Sequence, residues 1–371
     1  MSRSSRIALI ALSVTIPVSH GETQSVQQLS KAAVVARVDS MAQAYMAEKG
    51  PASMSVAITR GDDTLVMKAW GLADLDANRP ATAANTYQIG SISKQFTAVL
   101  LLKQVERGKL ALTDSIGAYL TTGLRPEWRP LTIEQLLNHT SGMQNDLKRE
   151  GPKGNDVPAD TMIAWAARDT KAFAPGTRFA YSNVGYLLLG ALVEKLYGRP
   201  YGAALREELA RPLGLRTLGW CAEPTKDSTA ATGYQYVGPS KFEPLPYAHP
   251  SMSLGMGGIC SSAGDLSAWN RALHGGRVLS PASYSAMTTP RGAALGKYGF
   301  GLQMGKSPWG VPVIYHLGAI MGFSAENAWF PAESLSVTIL YNNSIGKGFP
   351  TNFILEIARA VSTPAPTPTP P

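Results

Sequence analysis

The spacing of apolar side chains along the chain changes character twice. Residues 26–49 place Val34, Val35, Val38 and Met41 at helical intervals, so the stretch is predicted as an amphipathic helix. Residues 53–60 and 64–71 then read as two strands joined by the Gly61-Asp62-Asp63 turn, and residues 71–85 read as a loop. From Tyr87 to Gly108 the pattern becomes apolar almost all round, with Phe96, Ala98, Val99, Leu100, Leu101, Leu102 and Val105. A helix with no polar face is one that a domain encloses, so this stretch is expected at the centre of the fold.

Helical signals continue to about Met287. Helices are predicted over 132–139, 160–171, 183–197, 201–209 and 263–273; the third stops at Gly198 with Pro200 beyond, and the last at Gly275-Gly276. Beyond Gly292 strands return at 298–304, 311–316, 323–330 and 335–341, before a final helix over 351–361. Residues 363–371 alternate Thr, Ala and Pro and are expected to be disordered or polyproline-like. The predicted architecture is therefore α+β with two lobes in one domain, residues 22–362. An antiparallel sheet flanked by helices is built from both termini (about 22–85 and 292–362), and an all-helical lobe (about 86–291) is inserted between. A site is expected in the cleft between the two.

At 371 residues, with 44% hydrophobic and 16% charged side chains, the composition is that of a globular protein with a sizeable core. The net charge of +8 is spread along the chain rather than clustered, which argues against a nucleic-acid face. Residues 1–21 read as a cleaved secretory signal. Arg3 and Arg6 precede the apolar run 7–18, and Ser19 and Gly21 suit a cleavage site. That run is too short to span a bilayer, so no stable membrane insertion is expected and the mature protein is placed in the periplasm or outside the cell. Cys221 and Cys260 are the only cysteines; an oxidising compartment permits a bridge, and two buried thiols are the alternative.

Three polar triplets stand out as candidate chemistry. Ser91 and Lys94 open the central helix three residues apart, where one turn puts both on one face. Backbone N–H groups at that end favour an oxyanion, and burial would lower the lysine's pKa until it accepts a proton. Ser344 and Lys347 share the spacing but fall in a polar loop containing glycine, and read as chance. Tyr181-Ser182-Asn183 follows the strand-like 178–180 and leads into a helix, so the phenol and the amide can face a cleft; Asn183 as that helix's N-cap is the plainer alternative. His316-Leu317-Gly318 ends a predicted strand, where Gly318 lets the backbone approach a ligand and the Ala319 N–H can serve as an oxyanion donor. His139, His274 and Tyr341-Asn342-Asn343 read as structural. The sequence has no G-x-S-x-G elbow, no complete P-loop and no spaced Cys/His set, so neither a metal nor a cofactor is implied.

Taken together, S-x-x-K, Y-x-N and H-x-G in this order resemble the serine penicillin-recognising enzymes. The nearest branch is that of class C β-lactamases, D-alanyl-D-alanine carboxypeptidases and esterases of the same fold. The blocks YQIGSISKQFTA, LLNHTSGM, PGTRFAYSNVGYLLLG, GGICSSAGDLSAWNRAL, YGFGLQM and HLGAIMGFSAENAWF carry the likeness across most of residues 30–345. The resemblance implies a β-lactamase-like fold and an acyl-enzyme on Ser91, with Lys94 and Tyr181 moving the proton. It implies that Asn183 holds the substrate and that Ser91 and Ala319 N–H groups form the oxyanion hole. Small ester, D-amino-acid peptide or β-lactam substrates follow, with peptidoglycan among the candidates. Where β-lactamases carry lysine, this chain has His316, so the resemblance favours carboxypeptidase, amidase or esterase activity over β-lactamase. A penicillin-binding or peptidoglycan-sensing protein that acylates without turnover is the non-enzyme alternative.

Overall fold

The computed structural model describes residues 29–143, 155–168, 173–221, 230–238, 241–245, 249–344 and 353–362. The expected signal peptide and the Pro/Thr tail lie outside the described residues. The first helix, α1 (Lys31–Lys49), is capped by the Ser30 side chain and closed by Gly50 in the left-handed conformation. Its buried stripe is Val34, Val38, Ala42 and Tyr45. A hairpin follows, β1 (Ser53–Arg60) and β2 (Asp63–Asp74), with the turn where expected, and the next loop contains the short strand β3 (Arg79–Pro80). Next come β4 (Tyr87–Gln88) and α2 (Ser93–Glu106).

Between these and the late strands lie α3 (Ile133–Leu137), α4 (Ala159–Ala166), α5 (Asn183–Tyr197) and α6 (Tyr201–Leu205). They are followed by β5 (Gly219–Trp220), β6 (Tyr234–Gly238), β7 (Lys241–Pro244), β8 (Ile259–Ser261), α7 (Ala263–His274) and α8 (Pro281–Thr288). The chain then runs through β9 (Gln303–Lys306), β10 (Pro312–Ile320), β11 (Phe323–Phe330), β12 (Leu335–Tyr341) and β13 (Asn343–Ser344) to α9 (Phe353–Val361).

Seven strands form one antiparallel sheet in the order β3-β2-β1-β12-β11-β10-β9. Its first and last thirds thus meet in the middle, with Met54 opposite Tyr341. β11 and β12 are buried along their whole length, because α1 and α9 cover one face and α7 lies on the other. Two-sided cover explains why these strands read as continuous apolar runs rather than alternating ones. On the outer face Tyr45 of α1 stacks on Phe353 of α9, with ring centroids 4.2 Å apart.

The inserted region is not all-helical. β4, β8 and β5 make a three-stranded sheet, and β6 pairs with β7 and with β13 in another. Strands of two to five residues offer too few positions for a two-residue period to show. Residues 298–302 turn back on themselves before β9, so the strand expected over 298–304 starts only at Gln303. α8 follows a Ser280 cap and a proline that the apolar pattern does not mark. Cys221 and Cys260 form a disulfide that ties the end of β5 to β8.

α2 is buried over nearly all its surface, as its sequence requires. Two of its polar residues bond to groups distant in sequence. Gln95 Oε1 accepts from Trp269 Nε1 at 2.7 Å, and Thr97 Oγ1 donates to Gly255 O at 2.6 Å. A buried helix that must place such partners is held in one rotation and one depth, which is what a reactive group at its start needs.

Candidate active site

Ser91 sits in a short 3-10 turn, Gly90–Ile92, that leads into α2, one step outside the helix in which the sequence placed it. Lys94, in the first turn of α2, is fully buried. Its Nζ lies 3.0 Å from Ser91 Oγ, 2.8 Å from Asn183 Oδ1 and 3.0 Å from Met256 O. Burial pushes this lysine well below its ordinary pKa. A neutral amine has two N–H groups and one lone pair, and two of its three neighbours are carbonyl oxygens that can only accept. The lone pair then falls to the Ser91 hydroxyl, which is the arrangement of a base beside a nucleophile.

Tyr181 and Asn183 are brought here by a loop and a helix start. Residues 178–180 are not a strand; the segment 173–182 lies on residues 139–142. Phe173 N donates to Gly142 O, Gly176 N to Thr140 O at 2.8 Å, and Ala180 N to His139 O at 2.9 Å. The N-cap of α5 is Ser182, whose hydroxyl accepts from Gly185 N, so Asn183 is free of that duty and faces Lys94. The Tyr181 ring stands 4.8 Å from Lys94 Nζ. Burial holds its phenol above the usual tyrosine range, an effect that Ser91 partly offsets. No group meets the hydroxyl with hydrogen-bond geometry among the described residues. A buried, protonated O–H beside the Ser91 hydroxyl is a donor for an incoming acceptor.

The third wall is the outer edge of β10. β9 covers that edge only as far as Tyr315, opposite Gln303, and the 3-10 turn carrying Ser91 lies against the rest. The approach requires two glycines. A Cβ on Gly90, at φ +51°, would come 2.7 Å from Ala319 N, and one on Gly318 would come 2.0 Å from Ile89 O. What Gly318 admits is therefore this chain's own backbone, and the result is to set Ala319 N–H beside the Ser91 turn. From the opposite side β8 secures the same turn: Ile89 N donates to Ile259 O, and Ile259 N to Ser93 Oγ.

His316 lies within β10 rather than at its end, 2% exposed. Its Nδ1 is 2.7 Å from Leu317 O and its Nε2 is 2.8 Å from the Tyr298 hydroxyl. Leu317 O can only accept, so Nδ1 carries the proton and Nε2 receives the Tyr298 O–H. Burial, with Lys94 nearby, takes its pKa down to about 3, and the ring is neutral. Both nitrogens are engaged within the protein.

Two participants had no distinct signal in the sequence. Met256 contributes a backbone carbonyl, which no side-chain pattern announces, and Tyr298 is marked only by its place in the YGFGLQM block. His139 Nδ1 accepts from Ser182 N, and His274 is the last residue of α7, whose C-cap is Gly275, and stacks on Trp329. Asn342 bonds Ser53 N and Thr232 O as a brace. Ser344 accepts from Gly322 N, while Lys347 lies outside the described residues. Among the described residues no group of three His, Cys, Asp or Glu could hold a metal, and no helix is long and apolar enough to cross a membrane.

Residues 38–358 match a protein-family model described as Beta-lactamase. Over 326 residues the chain is 29% identical to a D-aminopeptidase of Brucella anthropi, covering 85% of this chain and 60% of the relative. The chain thus spans about 60% of the length of that curated relative. Among solved structures, it is similar to the octameric penicillin-binding protein homologue from Pyrococcus abyssi (TM-score 0.75, 27% identity, 87% of this chain and 76% of the other). It is also similar to a D-stereospecific amidohydrolase from Streptomyces sp. (TM-score 0.73, 26% identity, 86% and 97%).

Proposed function

The chain belongs to the beta-lactamase family, and from that membership we propose that it is a serine hydrolase that opens amide or ester bonds of D-amino-acid type through an acyl-Ser91 intermediate. The observation that carries this reading is the buried Lys94 amine 3.0 Å from Ser91 Oγ, which burial holds well below its ordinary pKa. Lys94 takes the Ser91 proton as Oγ bonds to the substrate carbonyl carbon. The carbonyl oxygen, now anionic, is received by the N–H groups of Ser91 and Ala319, each worth about 3–4 kcal/mol in such sites. The C–N or C–O bond then breaks, with the leaving group taking the Tyr181 proton and Lys94 returning one to the phenol. Water, deprotonated by the same pair, releases the acid and restores Ser91. Asn183 holds Lys94 in place and borders the acyl side.

The names of the relatives support the D-amino-acid class, and His316 argues separately against a β-lactam substrate. A neutral ring with both nitrogens engaged gives the site no fixed positive charge for a β-lactam carboxylate. Uncharged leaving groups are therefore favoured. Export is part of the proposal; it rests on the signal-like residues 1–21, and the Cys221–Cys260 bridge supports it.

The test uses purified protein and Ser91→Ala on D- and L-amino-acid anilides, a short-chain nitrophenyl ester and a chromogenic cephalosporin, with intact mass read at the end. Sustained turnover of the D-anilide or the ester with slow cephalosporin cleavage is the expected result. Fast cephalosporin turnover would make the protein a β-lactamase, and a lasting mass gain on Ser91 without turnover would make it a penicillin-binding sensor.

A further inference from the structure

We propose that His139 is the positioning residue for Tyr181, holding the phenol in line with Ser91. The inference rests on the reading of Tyr181 as a proton-transfer group. His139 grips the triplet from both sides: its backbone oxygen accepts from Ala180 N at 2.9 Å and its Nδ1 accepts from Ser182 N at 3.1 Å. The residue between those two donors is Tyr181. Its ring lies against the imidazole with centroids 4.3 Å apart, so the phenol is fixed by two main-chain bonds and one ring contact to a single residue.

The conformation of His139 is suited to this and to little else. It takes φ +60°, in the left-handed region, and this turns the side chain and the carbonyl toward the same strand of the loop. It is fully buried, and among the described residues Nε2 finds no hydrogen-bond partner. Tyr298 and Tyr186 surround the ring at 4.6 and 5.1 Å. Burying an imidazole among aromatic rings with one nitrogen unmatched is unfavourable, and an apolar side chain would fill the same space at less expense. What the imidazole supplies, and an apolar side chain would not, is the acceptor for Ser182 N–H. Since Nδ1 must accept, the proton resides on Nε2, and burial keeps the ring neutral.

An asparagine places its amide oxygen where Nδ1 stands and tolerates positive φ, whereas glutamine carries the amide one carbon farther, where Nε2 stands. His139→Asn is expected to keep kcat within about threefold of the parent, and His139→Gln to lose about 100-fold in kcat with KM nearly unchanged, the size expected for a misplaced group that acts in the chemical step. In a Tyr181→Phe background the Gln substitution should add no further loss, because the group it positions is already gone. Thermal unfolding of each variant is measured alongside. Full kcat in His139→Gln, or an Asn variant as slow as Gln at parental Tm, overturns the inference. So does a Gln loss that persists undiminished in Tyr181→Phe. If Gln does not fold, Asn decides by the same criterion, and an Asn variant that fails to fold shows a role in folding only and also overturns it. Tyr181→Phe with full activity sinks the reading of Tyr181 itself, a separate result from a failure of His139.

Discussion

Asn183 Oδ1 accepts a hydrogen bond from Lys94 Nζ at 2.8 Å, and this contact links the start of α5 to the start of α2 across the site. The group is an amide, so it orients the lysine without giving it a reason to stay charged. Asn183→Asp would supply that reason. A carboxylate within hydrogen-bond distance typically moves a partner's pKa by about 1–3 units toward the charged form. The acidic limb of the kcat/KM–pH profile should therefore move to higher pH and activity at pH 7 should fall. An unshifted limb in a folded variant would show that Lys94 is not the base.

Ser91→Ala removes the proposed nucleophile and leaves its surroundings intact, since Ser91 Oγ is only one of three polar neighbours of Lys94 Nζ. Turnover on every substrate and acyl mass gain should both disappear while the Tm stays within a few degrees of the parent. Residual turnover by the purified variant would move the nucleophile elsewhere.

Glu326 is fully buried in β11, with the Tyr341 hydroxyl donating to one of its oxygens, and burial raises its pKa to about 8. Below the unfolded glutamate pKa of about 4.3 both states hold the proton and the group is silent. Between there and about pH 8 the unfolded chain ionises and the folded one does not, so stability falls as pH rises and then levels off. Glu326→Gln cannot ionise. It should match the parent near pH 4 and exceed it by on the order of a few kcal/mol at pH 8 and above. Denaturant unfolding at pH 4, 6 and 8.5 checks this; a constant difference across the series would contradict it.

The Cys221–Cys260 disulfide closes a loop with a sequence separation of 39. Loop entropy puts its contribution at about 4 kcal/mol. Cys260 pairs with Gln88, and the neighbouring Ile259 pairs with the chain just before Ser91. Reduction, or Cys221→Ser with Cys260→Ser, should lower the Tm and slow turnover at temperatures where the parent is still fully active. Equal Tm with and without reductant would remove the bridge from the account.

The long elements were legible because periodicity had room to act. α5 begins at Asn183 and ends at Tyr197 as read, and β11 and β12 keep their predicted bounds. The Ser91–Lys94 spacing was legible because a helical turn makes neighbours of such residues. Other features depend on partners distant in sequence. β4 is a strand only because it pairs with β8, which also pairs with β5, and the 173–182 loop takes its course from residues 139–142. Alone, residues 178–180 look strand-like because Phe179 is aromatic and the segment is short. His316 showed its residue type, but its engagement with Tyr298 and Leu317 depends on burial and ring orientation, which a sequence does not encode locally.

Strand order also constrains when activity can arise. β1 must pair with β12, and the turn carrying Ser91 must rest on β10 near Ala319, so the site joins segments from opposite ends of the polypeptide. A nascent chain on the ribosome carries Ser91 long before the strand beside it has been made. Such non-local pairing makes folding slow, because loop closure precedes any stabilising contact. Truncated or half-synthesised copies therefore hold Ser91 without the β10 backbone that lies beside it in the folded chain.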